Sequence, residues 1–141
     1  MAVRRSVLNK RVMNGTVNFA KQMAMTEAEL IAALNVGNEI VEQALKNKIQ
    51  LFIGGEMGIG NTTSATTLAA AELNIPVAKL AGPGTGLDDD GITHKQQVIE
   101  QALAKHSTET QSSLTRLQFF GGVEIVALVG AYIRCAQLGI P

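Results

Sequence analysis

A short run, IQLFI at residues 49–53, leads straight into GGEMGIGNTT at 54–63, and an alanine- and threonine-rich stretch follows. No other feature constrains the fold as tightly. Four of the five leading residues are large and apolar, which predicts a buried strand over 49–53. The stretch 62–72 predicts a helix with its N-terminus turned back toward the glycines. Pro76 closes the connection, and VAKLA at 77–81 predicts a second strand. Strand, glycine loop, helix and strand make one βαβ crossover, whose handedness places both strands parallel in one sheet. A second glycine-rich loop, GPGTGLDDDG at 82–91, leaves the second strand and opens a helix over 92–104 with Ile92, Ile99 and Leu103 as its apolar stripe. Both loops therefore leave the carboxyl ends of adjacent parallel strands, where open α/β sheets bind ligands.

Two further helices are predicted. Thr26 and Glu29 form a capping box, and Leu30, Leu34, Gly37, Val41 and Leu45 recur at helical spacing, so residues 26–46 are expected to be amphipathic helix. Val123, Val126, Ala127, Gly130 and Ala131 predict another over 122–138, stopped by Gly139 and Pro141. The polar residues 105–113 read as a surface loop. The expected fold class is α/β, a parallel-sheet Rossmann-like three-layer fold. Two strands leave both sheet edges open, however, so the sheet is expected to be incomplete in this chain.

The chain is expected to form one partial domain over residues 1–141, with 1–20 a basic N-terminal segment. Arg4, Arg5, Lys10, Arg11 and Lys21 all precede the first acid, Glu27. A solvated, partly mobile segment is favoured over a nucleic-acid arm, because no reader motif follows. Twelve basic residues balance twelve acidic ones, which gives no overall attraction to nucleic acid or anionic membrane. The most apolar stretch, 119–133, is interrupted by Glu124 and too short to span a bilayer. The single cysteine, Cys135, excludes an internal disulfide and reads as a packed thiol. A cytoplasmic protein is expected.

The chemistry concentrates in the two loops. From Gly55 the first has the spacing of a P-loop, G-x-x-x-x-G-K-[ST], with Gly55, Gly60 and Thr62 in place but Asn61 where lysine belongs. Backbone N–H groups at a helix N-terminus, the hydroxyls of Thr62 and Thr63 and the Asn61 amide suit one phosphate monoester. A magnesium-bound triphosphate would need the lysine and a second acid, so ATP hydrolysis is disfavoured. Glu56 reads either as a solvated loop acid or as an acceptor for another part of the ligand. Asp88, Asp89 and Asp90 read as helix caps in preference to a metal site. Lys95, expected in the first helical turn, calls for an anionic partner: Glu56, a loop aspartate or the ligand. His94 and His106 have no carboxylate or cysteine at ligand spacing, so a zinc site is not expected.

GEMGIGNTTSA at 55–65, GPGTGLDDDGITHK at 82–95 and GGVEIVALVGAYIRCAQLGIP at 121–141 resemble successive segments of the nicotinate-nucleotide:dimethylbenzimidazole phosphoribosyltransferase family, and AMTEAELIAAL resembles its helix before the first motif. The resemblance implies transfer of phosphoribose from nicotinate mononucleotide to 5,6-dimethylbenzimidazole in cobalamin biosynthesis, by a homodimer without cofactor. It implies that Gly58, Ile59, Gly60, Asn61, Thr62 and Thr63 bind the nucleotide's phosphate and ribose. Glu56 and Lys95 would lie in the active site, and Gly84, Gly86 and Asp88 would shape its second wall. The family's general base, a glutamate in a late glycine-rich segment, falls beyond Pro141, and segments walling the benzimidazole pocket fall before Met1. The chain is therefore expected to be the middle portion of a longer design, with Glu56 as a secondary candidate for the base. The alternative is a catalytically weak or inactive nucleotide-binding module of the same family.

Overall fold

Thr26 opens the first helix as expected. In the computed structural model, which describes residues 7–141, its hydroxyl accepts a hydrogen bond from the Glu29 amide while the Glu29 carboxylate accepts one from the Thr26 amide at 2.8 Å. Two otherwise orphaned donors are satisfied together, and α1 runs Glu27–Lys46. Four more helices follow: α2 Asn61–Leu73, α3 Asp89–Lys105, α4 Ser113–Phe120 and α5 Val123–Leu138. Arg4 and Arg5 lie outside the described residues.

The principal helix pair is α1 with α5. They run in the same direction, since Leu30 and Ala33 cluster with Val126, Val41 packs with Ala131 and Cys135, and Glu42 pairs with Arg134. Glycines set their separation. A Cβ on Gly37 would sit 2.5 Å from the amide nitrogen of Ala131 and nearer still to the carbonyl oxygen of Ala127. One on Gly130 would sit 2.8 Å from the carbonyl carbon of Leu34. The two backbones thus touch where side chains would hold them apart. Cys135 is buried in this seam, as its apolar pattern predicts.

α2 packs on α4 and α3, and is joined to α4 through Glu72, which takes an ion pair from Arg116 at 3.1 Å and a hydrogen bond from Ser113 at 3.0 Å. Its alanine and threonine face is buried without orphaned hydroxyls. Thr66 and Thr67 donate to the carbonyls of Thr62 and Thr63, one turn back, at 2.7 and 2.8 Å. Ile99 of α3 packs against Ala70 and Val77, and Phe120 is enclosed by Ala102, Phe119, Phe19 and Leu68. His106 sits edge-on to Phe119 and donates from Nε2 to the Phe19 carbonyl at 3.0 Å. Together with Lys105, whose ammonium reaches the Lys21 carbonyl at 2.6 Å, it ties the end of the basic segment to α3. Lys10 pairs with Glu39 of α1 at 2.7 Å.

The expected parallel sheet is absent among the described residues, which are helical with no strand. Residues 49–58 run without regular structure. Their chain is held by Phe52 donating to the Pro141 carbonyl at 2.9 Å, by Gly54 donating to the Tyr132 hydroxyl at 3.1 Å, and by the Phe52 ring edge-on to Tyr132. Ile49, Leu51 and Ile53 face outward, Ile53 being 83% exposed. The second expected strand is a 3-10 turn, Val77–Lys79, closed by Lys79 and Leu80 donating to the carbonyls of Pro76 and Val77. The physical reason is that a strand is completed by its neighbours' N–H and C=O groups, and no neighbour of that kind is described here. The helical expectations fare better, with α3 starting three residues earlier than predicted and Lys95 consequently in its second turn. No sequence expectation covers α4; Ser112, inside the loop expected over 105–113, and Thr115, just beyond it, cap the helix reciprocally.

Candidate functional site

Gly60 is the residue on which the first loop turns. It is the N-cap of α2 with φ +85°, a left-handed conformation that glycine adopts without strain, and a Cβ there would stand in open space. Beyond it, Asn61 is occupied on both sides: its Oδ1 accepts from the Thr62 amide at 2.8 Å and its Nδ2 donates to the Glu56 carboxylate in a short hydrogen bond. Glu56 and Asn61 therefore close the loop onto itself, and Gly58 packs over the Asn61 amide. Of the donors that sequence reasoning allots to a phosphate, the Asn61 side chain and the Thr62 backbone N–H are engaged within the loop. Met57 and Ile59 stand 98% and 99% exposed at its crest. Thr63 donates its backbone N–H to the Gly60 carbonyl at 3.1 Å.

The second loop arrives from the other side. Lys95 of α3 is only 6% exposed, and its ammonium donates to Thr62 Oγ1 at 3.0 Å and the Gly82 carbonyl at 3.4 Å. Gly84, with φ +56°, lies against the same threonine; a Cβ there would be 2.9 Å from Thr62 Oγ1 and 3.9 Å from Lys95 Nζ. Desolvation lowers the Lys95 pKa below the usual lysine value. Neither Glu56 nor any of the three loop aspartates forms an ion pair with it. Thr62, Gly84 and Lys95 thus form one niche holding a nearly buried cation with neutral partners, an arrangement that attracts an anion.

Asp88 is the N-cap of α3, its Oδ1 accepting from the Gly91 amide at 2.9 Å, while Asp89 and Asp90 fill the first helical turn beside the positive end of the dipole. The capping interpretation of these acids holds, and among the described residues no group of three His, Cys, Asp or Glu is arranged for a metal ion. Gly86, at φ +112°, turns the loop between Gly84 and Asp88 without reaching Thr62.

Sequence reasoning missed the wall on the far side of the α2 start. A cavity of about 500 Å³ opens there between residues 13–19, the Gly60–Asn61 turn and the start of α5. Thr16, Asn18, Asn61, Ser64 and Glu124 supply its polar side chains, and Val17, Phe19 and Val123 are among its apolar walls. The available signal was GGVE, a glycine pair followed by an acid in the first turn of a strongly apolar helix. A different cavity, about 560 Å³, lies at the other end of α2 near Arg116 and contains none of the anticipated site residues.

Known proteins resemble this chain in sequence and fold. A family model described as phosphoribosyltransferase matches residues 1–141. A nicotinate-nucleotide–dimethylbenzimidazole phosphoribosyltransferase of Pseudomonas putida is 52% identical over 134 residues, covering 95% of this chain and 38% of that protein. One from Pseudomonas fluorescens is 56% identical over 126 residues, covering 89% and 36%. The crystal structure of CobT from Thermus thermophilus matches with a TM-score of 0.89 at 36% identity, over 100% of this chain and 42% of that one, so the fold is shared. The chain spans well under half the length of these relatives. Matched along its whole length, it belongs to the nicotinate-nucleotide–dimethylbenzimidazole phosphoribosyltransferase family.

Proposed function

We propose that this chain carries the phosphoribosyl-binding part of an enzyme that moves phosphoribose from nicotinate mononucleotide to 5,6-dimethylbenzimidazole, releasing nicotinate and forming α-ribazole 5′-phosphate in cobalamin biosynthesis. The observation that carries it is the nearly buried Lys95 ammonium turned onto Thr62 and Gly84 beside the start of α2. The relatives' names supply the substrates. In the transfer, the bond from ribose C1′ to the pyridinium nitrogen breaks and its electron pair stays with nicotinate. One benzimidazole nitrogen supplies the pair for the new bond, and the N–H on the other gives its proton to a base. Gly58, Ile59, Gly60, Asn61, Thr62 and Thr63 surround the phosphate and ribose, Lys95 balances the phosphate charge, and Gly84, Gly86 and Asp88 fix the second wall.

That phosphate competes with Glu56 for Asn61, so binding opens the loop and releases the carboxylate. Glu56 is then free to act as the secondary proton acceptor, the primary one being the glutamate of the family's later segment. Residues 49–53 take a sheet neighbour from the rest of the family's length or from a second copy, completing the three-layer α/β fold as a cytoplasmic homodimer.

Calorimetry with nicotinate mononucleotide tests the site. Wild type binds, Gly60→Asn retains binding because asparagine tolerates the left-handed conformation, and Gly60→Asp loses about tenfold or more by placing a like charge at the phosphate. Absence of wild-type binding, or equal affinity of the Asn and Asp variants, refutes the assignment. The closure of the glycine loop on itself, with the Asn61 side chain and the Thr62 amide both engaged, favours a second reading, a nucleotide-binding module without turnover. Supplying both substrates separates the two, since α-ribazole phosphate above background excludes the module.

A further inference from the structure

The cavity on the far side of the α2 start holds one formally charged side chain, Glu124. This residue sits in the first turn of α5 with its carboxylate folded back over the helix N-cap; a Cβ on Gly122 would lie 2.8 Å from Glu124 Oε2. Among the described residues no ion pair reaches it. It lies at the positive end of the α5 dipole, and a carboxylate is a pure acceptor with two oxygens. The dipole alone would account for an acid at this position. It does not account for the shared cavity, in which the carboxylate and Asn61 of the phosphate loop line the same space.

We propose that Glu124 accepts hydrogen bonds from the ribose hydroxyls of the phosphoribosyl ligand, in the cavity between residues 13–19 and the starts of α2 and α5. The inference rests on the reading of the glycine loop as the phosphate site and adds the sugar's position to it. The chemistry selects this ligand part. A phosphate or the nicotinate carboxylate would be repelled by Glu124, whereas a vicinal diol offers two O–H donors to its two oxygens. Phosphate and diol lie on opposite ends of one ribose, as Lys95 and Glu124 flank opposite sides of the α2 start. The apolar walls at Val17, Phe19 and Val123 face the sugar's C–H surface, and the cavity volume is that of a small-molecule site. Carboxylates recur as acceptors for ribose hydroxyls in nucleotide sites for the same reason.

Titrating the full chain with inorganic phosphate, ribose 5-phosphate and 2-deoxyribose 5-phosphate tests the proposal. Wild type favours ribose 5-phosphate over its 2-deoxy analogue by about tenfold, the effect of one charge-assisted hydrogen bond. Glu124→Gln, which preserves shape, brings the two esters within about threefold while affinity for inorganic phosphate is unchanged or rises, since a repulsive charge has gone. A wild type that binds both esters equally, or a Glu124→Gln protein that keeps the preference, overturns the role of Glu124 and leaves the phosphate site standing. A wild type that binds none of the three overturns the phosphate reading and this inference with it. Thermal unfolding of Glu124→Gln at the wild-type midpoint certifies that the comparison concerns binding.

Discussion

Replacing Gly37 by alanine reverses an ordinary expectation about helices. At a solvent-facing helical position the change is stabilising by about 0.8–1 kcal/mol, because alanine loses less backbone entropy. At Gly37 the new methyl meets backbone, with the Ala131 amide nitrogen at 2.5 Å and the Ala127 carbonyl oxygen closer. Neither atom has a rotamer in which to retreat, so α1 and α5 must part by roughly 1 Å, a gap that forfeits a quarter to a half of each contact's attraction. The loss spreads along the seam through Val41, Ala131 and Cys135. An overpacking cost of about 3 kcal/mol, less the propensity gain, leaves a net destabilisation of about 2 kcal/mol. For a domain of this size that lowers Tm by roughly 8 °C. Urea unfolding followed by far-ultraviolet circular dichroism should show a lower midpoint at unchanged slope. Adding Gly130→Ala should cost less than it does alone, because the helices are already parted. A Gly37→Ala protein as stable as wild type would refute the claim that the two backbones touch.

Lys95→Met, which keeps the length and removes the charge, should weaken phosphate-ester binding by about ten- to a hundredfold in calorimetry. Binding to wild type should also fall as pH rises, beginning below the usual lysine pKa, because burial lowers the free group's pKa and a bound anion raises it; affinity is full while Lys95 is protonated in the free protein and decays between the two values. Thr26→Ala should cost about 1 kcal/mol in chemical denaturation. In the same variant the Glu29 pKa, held low by the Thr26 amide and hydroxyl, should return upward in an NMR titration. In wild type, the depressed pKa means that this cap's support is present at neutral pH and is lost as pH falls through the carboxylate range.

The parts of the fold legible in the sequence are those whose causes are local. The Thr26–Glu29 box and the stripe through Leu30, Gly37 and Val41 specify α1 without reference to the rest of the chain, and the small-residue pattern around Gly130 does the same for α5. Residues 49–53 carry the composition of a buried strand, yet burial and pairing are properties of what lies alongside, so their outer face stays open. Val77 is buried, but Pro76 leads into a tight turn that satisfies the following amides by itself. In the site, the spacing from Gly55 to Thr62 located the loop, and Lys95 was singled out for its position. No spacing rule could reveal that Asn61 would be held by Glu56, because that contact depends on where the loop folds. The sequence marks Glu124 only as the interruption of an apolar stretch, because its neighbourhood is made by α2 and residues 13–19, both distant in sequence.

The outward row of Ile49, Leu51, Ile53, Met57 and Ile59 has a colloidal consequence. Residues 49–59 combine aliphatic side chains with a single charge, Glu56, and no proline. An extended segment of this kind with free backbone groups is a template on which like segments stack. Turbidity of the isolated chain should therefore climb with protein concentration at temperatures well below the unfolding midpoint. Exchanging outward-facing Leu51 for lysine should suppress it while leaving Phe52, and its contact with Tyr132, in place.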